Sequence, residues 1–224
     1  MIYRNEIKHV INAGDKAAIC ASMRAIAKLD PHAGPNGSYA IRSLYFDNLA
    51  DCALREKLDG VNEREKFRIR YYNGDSSVIH LEKKVKCGGL GCKVSAPLTK
   101  DEVQRIVDGD IDWMATSGRG LVIELYCKMK ALGLRPRTIV DYTRTPFVYV
   151  PGNVRVTIDE NIRTGLRCTD FLNPSCVTIP AGEPVIILEV KWDEYLPTII
   201  RRAVQVRNCR ATAFSKYQIC RIYD

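Results

Sequence analysis

Apolar and polar residues alternate along much of this chain, and the polar half of the pattern is unusually cationic. In "REKFRIRYY", residues 64–72, an extended backbone puts Phe67, Ile69 and Tyr71 on one face and Lys66, Arg68, Arg70 and Tyr72 on the other. In "VIHLEKKVK", His80, Glu82, Lys84 and Lys86 oppose Ile79, Leu81 and Val85, with Lys83 on the apolar side. "VRVTIDENI" sets Arg155, Thr157 and Asp159 against Val154, Val156 and Ile158. "VIILEVKW" sets Glu189 and Lys191 against Leu188, Val190 and Trp192, and "RNEIKHVI" places Arg4, Glu6 and Lys8 opposite Ile7. Five strands thus share one design: an apolar face, and an ionic face rich in Lys and Arg with single acids interspersed.

The remaining pattern predicts more strands and a few helices. "GDKAAICASMRAIAKL" places Ile19, Cys20, Met23, Ile26 and Ala27 on one helical face, with Asp15 within reach of an N-cap. "SYAIRSLYFDN" reads as a strand and "LADCALREKL" as a short helix. Asn73-Gly74-Asp75 is a hairpin turn between two strands, and "CGGLGC" a flexible turn before "KVSAPLT". Helices are expected at "KDEVQRIVDG", "GLVIELYCKMKALG" and "LPTIIRRAVQVR"; "RPRTIVDYTRTPFVYV" is a strand, and "TAFSKYQICRIY" closes the chain. No repeat, linker or composition break divides residues 1–224, which are expected to form one domain.

What the ionic faces look at decides the fold. A flat antiparallel sheet covered by helices on one side would present them to solvent. That arrangement does not account for so selectively cationic a face. A sheet of this many strands tends to curl and close, and amphipathic helices are available to cover outward apolar faces. The expected fold is therefore α+β: a closed antiparallel β-barrel with helices packed outside and the ionic faces lining a tunnel. Dry burial of so many cations would cost several kcal/mol per ion, so the tunnel must hold water or a polyanion. A phosphate chain, thin and dense in charge, suits it.

Composition agrees. Lys and Arg outnumber Asp and Glu by 34 to 26, a net charge of +8 with a pI near 9.0, which favours a polyanionic partner. Nine cysteines with no Cys-x-x-Cys pair, and only three histidines, do not make a structural zinc site. The first residues carry charges where a signal peptide would be apolar, and the apolar runs are too short to cross a bilayer. A reduced, cytoplasmic protein without a membrane segment is expected.

"RNEIKHVI", "SLYFDN", "KFRIRYY", "LEKKVK", "DYTRTPF", "VRVTIDENI", "ILEVKW" and "FSKY" follow one another in an order that resembles the catalytic domain of the vacuolar transporter chaperone (VTC) polyphosphate polymerases. These are triphosphate tunnel metalloenzymes, relatives of the CYTH phosphatases and cyclases. The resemblance implies a metal-dependent phosphotransferase that adds the γ-phosphate of ATP to a growing polyphosphate chain, with Mn²⁺ or Mg²⁺ as cofactor. It implies that Arg68 and Arg70 grip nucleotide phosphates, that Lys84, Arg144 and Arg155 are further basic ligands, and that Glu189 carries the metal with Lys191 beside it. Ser215 and Lys216 match a C-terminal phosphate contact. Glu6, Lys8, Arg42 and Lys93 are further candidates for phosphate or nucleotide binding, and Ala213 stands where the family often has a basic residue. ATP and polyphosphate are the expected partners, without nucleic acid; any membrane partner would be a separate protein.

Arginine offers a planar fork to phosphate oxygens and lysine a point charge; phosphoryl transfer asks mostly for positioning and charge neutralisation. One departure bears on reaction type. Hydrolytic relatives begin with Glu-x-Glu-x-Lys, and here the stretch reads Arg4-Asn5-Glu6-Ile7-Lys8. Losing one carboxylate weakens a water-activating two-metal site and adds phosphate affinity, which favours a transferase. A tripolyphosphatase or nucleoside triphosphatase, and a non-catalytic binder of polyphosphate or RNA, are the alternatives. Against RNA, the aromatic residues do not cluster on the cationic faces as stacking platforms should, although Tyr72 is one candidate.

Overall fold

The computed structural model describes residues 3–206 and 211–222. The expectations that touch Met1, Ile2, Arg207, Cys209, Tyr223 and Asp224 lie outside the described residues. In chain order the elements are β1 (Asn5–Ile11), α1 (Ala13–Ile26), β2 (Lys28–Leu29), β3 (Tyr39–Asp47), α2 (Cys52–Leu58), β4 (Arg64–Tyr72), β5 (Asp75–Cys87) and β6 (Leu90–Leu98). They continue with α3 (Lys100–Asp108), α4 (Gly120–Leu132), β7 (Arg135–Tyr149), β8 (Val154–Thr164), β9 (Ile179–Pro180), β10 (Ile186–Trp192), α5 (Thr198–Ala203) and α6 (Lys216–Ile219).

Local chemistry sets the boundaries. Asn12 caps α1: its side chain accepts from the Asp15 N–H at 2.8 Å, and the Asp15 carboxylate accepts in return from the Asn12 N–H at 3.3 Å. Asn73 and Gly74, both at positive φ, make the two-residue turn between β4 and β5. Gly88 and Gly89 do the same between β5 and β6. The glycine-rich stretch is therefore a tight hairpin, and β6 begins at Leu90, earlier than the pattern suggested. α5 is six residues long, shorter than the helix expected there.

One antiparallel sheet runs in the order β1-β10-β8-β7-β3-β4-β5-β6, with β2 added beside β7 and β9 beside β8. It curls until its edge strands meet at Arg4 and Gly91, which exchange two backbone hydrogen bonds of 2.9 and 3.0 Å. The expected barrel is thus a strongly curled sheet touching at one bridge, not a ladder continuous all the way round. Past that bridge the C-terminal segment continues the β1 edge, where Thr212 N–H donates to Lys8 O at 2.8 Å.

The apolar faces point outward into two cores. Leu44, Phe67, Ile69 and Leu81 pack under Val103 and Ile106 of α3 and Val122, Leu125 and Met129 of α4. Val156, Ile158, Leu188 and Val190 pack under Ile19, Cys20 and Met23 of α1 and Ile200 of α5. All of these side chains are buried, and the Val, Leu, Ile, Phe and Met among them contribute about 1.5–3 kcal/mol apiece. Inside the curl a third cluster joins Tyr39, Ile41, Tyr142 and Ile187 to Tyr217 and Cys220 of the C-terminal segment. No described helix is long and apolar enough to cross a membrane.

Candidate functional site

The ionic faces converge on one lumen. A cavity of about 720 Å³ is lined by fourteen Lys and Arg side chains, against two acids, Glu6 and Glu189. Arg68, Arg70, Lys84, Arg144, Arg155, Glu189, Lys191, Glu6, Lys8, Lys93, Ser215 and Lys216, the residues singled out from the sequence, all border it. Strand alternation puts the strand residues there, because α1, α3, α4 and α5 cover the other face; Ser215 and Lys216 come from the start of α6, inside the curl. Arg42 is the exception. On β3 it points outward, where its guanidinium forks onto Asp141 at 3.0 and 2.8 Å and donates to Asn173 O. It is a structural ion pair and not a lumen ligand.

Four carboxylates hold the cations in place. Glu82, 1% exposed, receives Arg68 at 2.7 Å, Lys93 at 2.6 Å and Arg70 at 3.7 Å. Asp159, fully buried, receives both arms of Arg144 at 2.7 and 2.8 Å and Lys216 at 2.6 Å. Glu6 pairs with Lys84 at 2.9 Å, Lys8 at 3.0 Å and Lys191 at 3.7 Å. Glu189, 5% exposed, pairs with Lys191 and lies 3.7 Å from Lys8. Eight cations thus share four carboxylates, and Lys57, Arg64, Lys66, Lys86 and Arg155 border the same cavity, so the lumen keeps an excess of positive charge that a polyanion such as a triphosphate can balance. Burial pushes each acid toward neutrality, but the surrounding cations win and hold Glu6, Glu82 and Glu189 well below the usual carboxylate range, and Asp159 at about 2.

Aromatic residues, expected not to cluster on the cationic faces, do gather there: Tyr39, Tyr45, Tyr72, Tyr142, Phe214 and Tyr217 border the cavity, because the C-terminal segment and the inner row of β3 face into the curl. Neutral hydroxyls, most of them from these tyrosines, finish the arginine positions, and the sequence pattern did not single them out. Arg68 donates to Tyr45 Oη at 2.9 Å; Arg70 donates to Ser43 Oγ and Tyr142 Oη, both at 2.9 Å. Arg155 is set by Asp30 at 2.7 Å and Tyr39 Oη at 2.9 Å. Ser215 caps α6 by accepting from Gln218 N–H, leaving its own hydroxyl hydrogen available. Arg4, expected to add phosphate affinity, is otherwise engaged: it pairs with Asp193 at 2.7 Å and donates to Asn153 O.

The donor set suits a divalent ion only in part. Glu6 and Glu189 lie close enough to destabilise each other's charge, and register sets Glu6 opposite Lys191 and Lys8 opposite Glu189. Among the described residues no group of three or more Asp, Glu, His or Cys gathers around one point. Two hard oxygen donors fit an Mg²⁺- or Mn²⁺-type ion that takes its remaining ligands from phosphate and water.

Two lysines report on the charge of the lumen. Burial, with repulsion from Lys8 and Lys191, overrides the pull of Glu6 and lowers Lys84 to about 7. Burial, with repulsion from Lys57, Arg64 and Lys8, lowers Lys66 to about 8; its ammonium stands 4.9 Å from the centre of the Tyr217 ring. A bound polyanion favours both charged forms and raises both values. Binding at pH 8 should therefore take up on the order of one proton, and affinity should fall as pH rises through 7 to 8 and beyond. Calorimetry with long-chain polyphosphate, whose internal groups do not titrate there, in buffers of different ionisation enthalpy measures this. Heats independent of buffer would contradict it.

Arg68→Ala should weaken nucleotide binding by about 1.5–3 kcal/mol, the scale of a charge-assisted contact. The fold should survive, since Glu82 keeps Arg70 and Lys93. Equal ATP affinity in both proteins, by titration calorimetry, would remove Arg68 from the site.

A curled antiparallel sheet with helices outside and a cationic lumen within defines the triphosphate-tunnel class of proteins. The chain belongs to the VTC domain family, whose sequence model matches residues 3–222. A solved structure of similar fold is that of a candidate adenylate cyclase from Bacillus halodurans: 14% identity, TM-score 0.51, covering 90% of this chain and 84% of that one. At that identity the likeness concerns fold alone. A protein of Pyrococcus horikoshii OT3 is 17% identical with a TM-score of 0.45, covering 90% of this chain and 84% of its own. A candidate adenylate cyclase of Vibrio parahaemolyticus is 10% identical with a TM-score of 0.44, covering 90% and 82%. Among curated proteins, none matches this chain by sequence.

Proposed function

We propose that this protein is an ATP-dependent polyphosphate polymerase, a cytoplasmic phosphotransferase that acts as one domain and passes the γ-phosphate of ATP to a polyphosphate chain in the lumen. The observation that carries this reading is the charge imbalance: eight cations share four carboxylates around one cavity that fourteen Lys and Arg side chains line, which leaves an excess of positive charge for a polyanionic ligand. Arg68, Arg70 and Lys93 grip the phosphates from one wall, and Arg144, Arg155 and Lys216 from another. Lys84, Lys8 and Lys191 neutralise the equatorial oxygens as charge spreads during transfer. The attacking atom is a terminal phosphate oxygen of the chain, ionised at neutral pH, so no strong general base is needed.

Glu189 and Glu6 are the residues that would hold Mn²⁺ or Mg²⁺. Bound there, such an ion supplies Lewis-acid neutralisation of phosphate oxygens. Two carboxylates wrapped in lysines are a poor place to generate hydroxide from water. That supports transfer over hydrolysis, on grounds independent of Arg4. The test is to incubate the protein with ATP and Mn²⁺ and resolve the products on a polyacrylamide gel. A ladder of polyphosphate is expected. Orthophosphate alone would make the protein a triphosphatase, and unchanged ATP with tight polyphosphate binding would make it a binder.

A further inference from the structure

On the outer face of the sheet, away from the lumen, two thiols meet. Cys168 and Cys176 lie in the segment between β8 and β9, both half-buried, with their Sγ atoms 3.1 Å apart. Two turns bring them together: Cys168 N–H donates to Gly165 O at 2.9 Å, and Cys176 N–H to Asn173 O at 3.1 Å. Both side chains pack against the apolar core beneath α3 and α4. Between them Phe171 is 1% exposed, its ring 4.9 Å from that of Tyr71, and its carbonyl accepts from Tyr71 Oη at 3.2 Å. Asn173 O accepts from Arg42, so the segment is tied to both β3 and β4.

We propose that Cys168 and Cys176 are a reversible dithiol–disulfide pair, oxidised by low-molecular-weight disulfides, which when closed clasps the Phe171 segment onto the outer face of β3 and β4. The backbone already holds the sulfurs in contact, so a small side-chain rotation closes the bond. One thiolate attacks a sulfur of the oxidant RSSR, giving a mixed disulfide and RS⁻. The other thiolate then attacks the protein sulfur of that mixed disulfide, forming the Cys168–Cys176 bond and releasing the second RS⁻. The pair loses two protons and two electrons, and the oxidant leaves as two thiols. Burial and the Cys168 contact raise Cys176 to about 11, so closure should accelerate with pH.

The experiment equilibrates the protein in glutathione buffers from fully reduced to fully oxidised, quenches with acid, alkylates with N-ethylmaleimide and digests with trypsin. Residues 168–191 contain no internal Lys or Arg, so both cysteines fall in one peptide. The expected product at oxidising poise is that peptide unalkylated and two hydrogens lighter; at reducing poise it carries two maleimides. Oxidation should also raise the melting temperature by about 5 °C, with no rise in Cys176→Ser treated identically. A peptide alkylated at both cysteines, or carrying two glutathiones, at the most oxidising poise overturns the pair. An unchanged melting temperature in the closed protein overturns the clasp.

Discussion

Replacing Glu189 with glutamine is expected to lower phosphate transfer from ATP about a hundredfold or more, while metal-free polyphosphate binds at least as tightly as before. The side chain sits on the lumen face of β10, with Leu188 and Val190 packed on the opposite side. Glutamine keeps its shape and leaves that packing untouched. What disappears is a charge that Lys191 and Lys8 hold ionised against the push of burial. A divalent ion held there would lose a hard oxygen ligand, a loss on the scale of removing one strong transition-state contact. The lumen meanwhile gains one net positive charge. Steady-state rates on ATP with Mn²⁺, set beside calorimetry with polyphosphate in chelator, separate the two effects. Near wild-type polymerisation by the variant would reduce Glu189 to a partner for Lys191.

Glu82→Ala is expected to cost stability, by about 3–5 kcal/mol, because buried Arg70 and largely buried Arg68 then lie side by side with no counterion, while the more exposed Lys93 loses its partner. Urea unfolding reads the loss, and added polyphosphate should restore part of it. The pH dependence has a definite sign. Glu82 is held well below its unfolded value, so its contribution is complete above the ordinary glutamate range and is lost as pH falls through and below it. Glu82→Gln should therefore show a shallower loss of stability on acidification than the parent. A parent and variant with parallel acid profiles would mean that the three cations are stabilised by something other than Glu82.

The strands whose two faces differ sharply were legible from alternation alone. Phe67, Ile69 and Tyr71 against Arg68 and Arg70, or Leu188 and Val190 against Glu189 and Lys191, leave one choice of face once helices cover the apolar side. β3 was not legible. Its inner row is Tyr39, Ile41, Ser43 and Tyr45, because the C-terminal segment packs inside the curl and needs apolar partners there. Arg42 then falls among Leu44 and Phe46 on the outer face, beside an Asp141 that only the β3–β7 register reveals. The roles of Glu82 and Asp159 were hidden for a related reason. Single acids in basic strands were visible, but their partners come from other strands or from α6, and a local pattern carries no cross-strand distance. The hydroxyls of Tyr45 and Tyr142 belong to the same category: nothing local marks a tyrosine as the acceptor for an arginine on a neighbouring wall.

On the proposed function, the lumen recognises a linear phosphate chain through cations converging from several strands. The most direct test is calorimetric titration with orthophosphate, pyrophosphate, tripolyphosphate and longer polyphosphates at fixed salt, with single-stranded RNA as competitor. Affinity is predicted to climb steeply as the chain lengthens, to level off once the cavity of about 720 Å³ is filled, to drop in Arg68→Ala and Arg144→Ala alike, and to be little disturbed by RNA. Affinity independent of chain length, or RNA binding as tight as polyphosphate and equally sensitive to both substitutions, would contradict it.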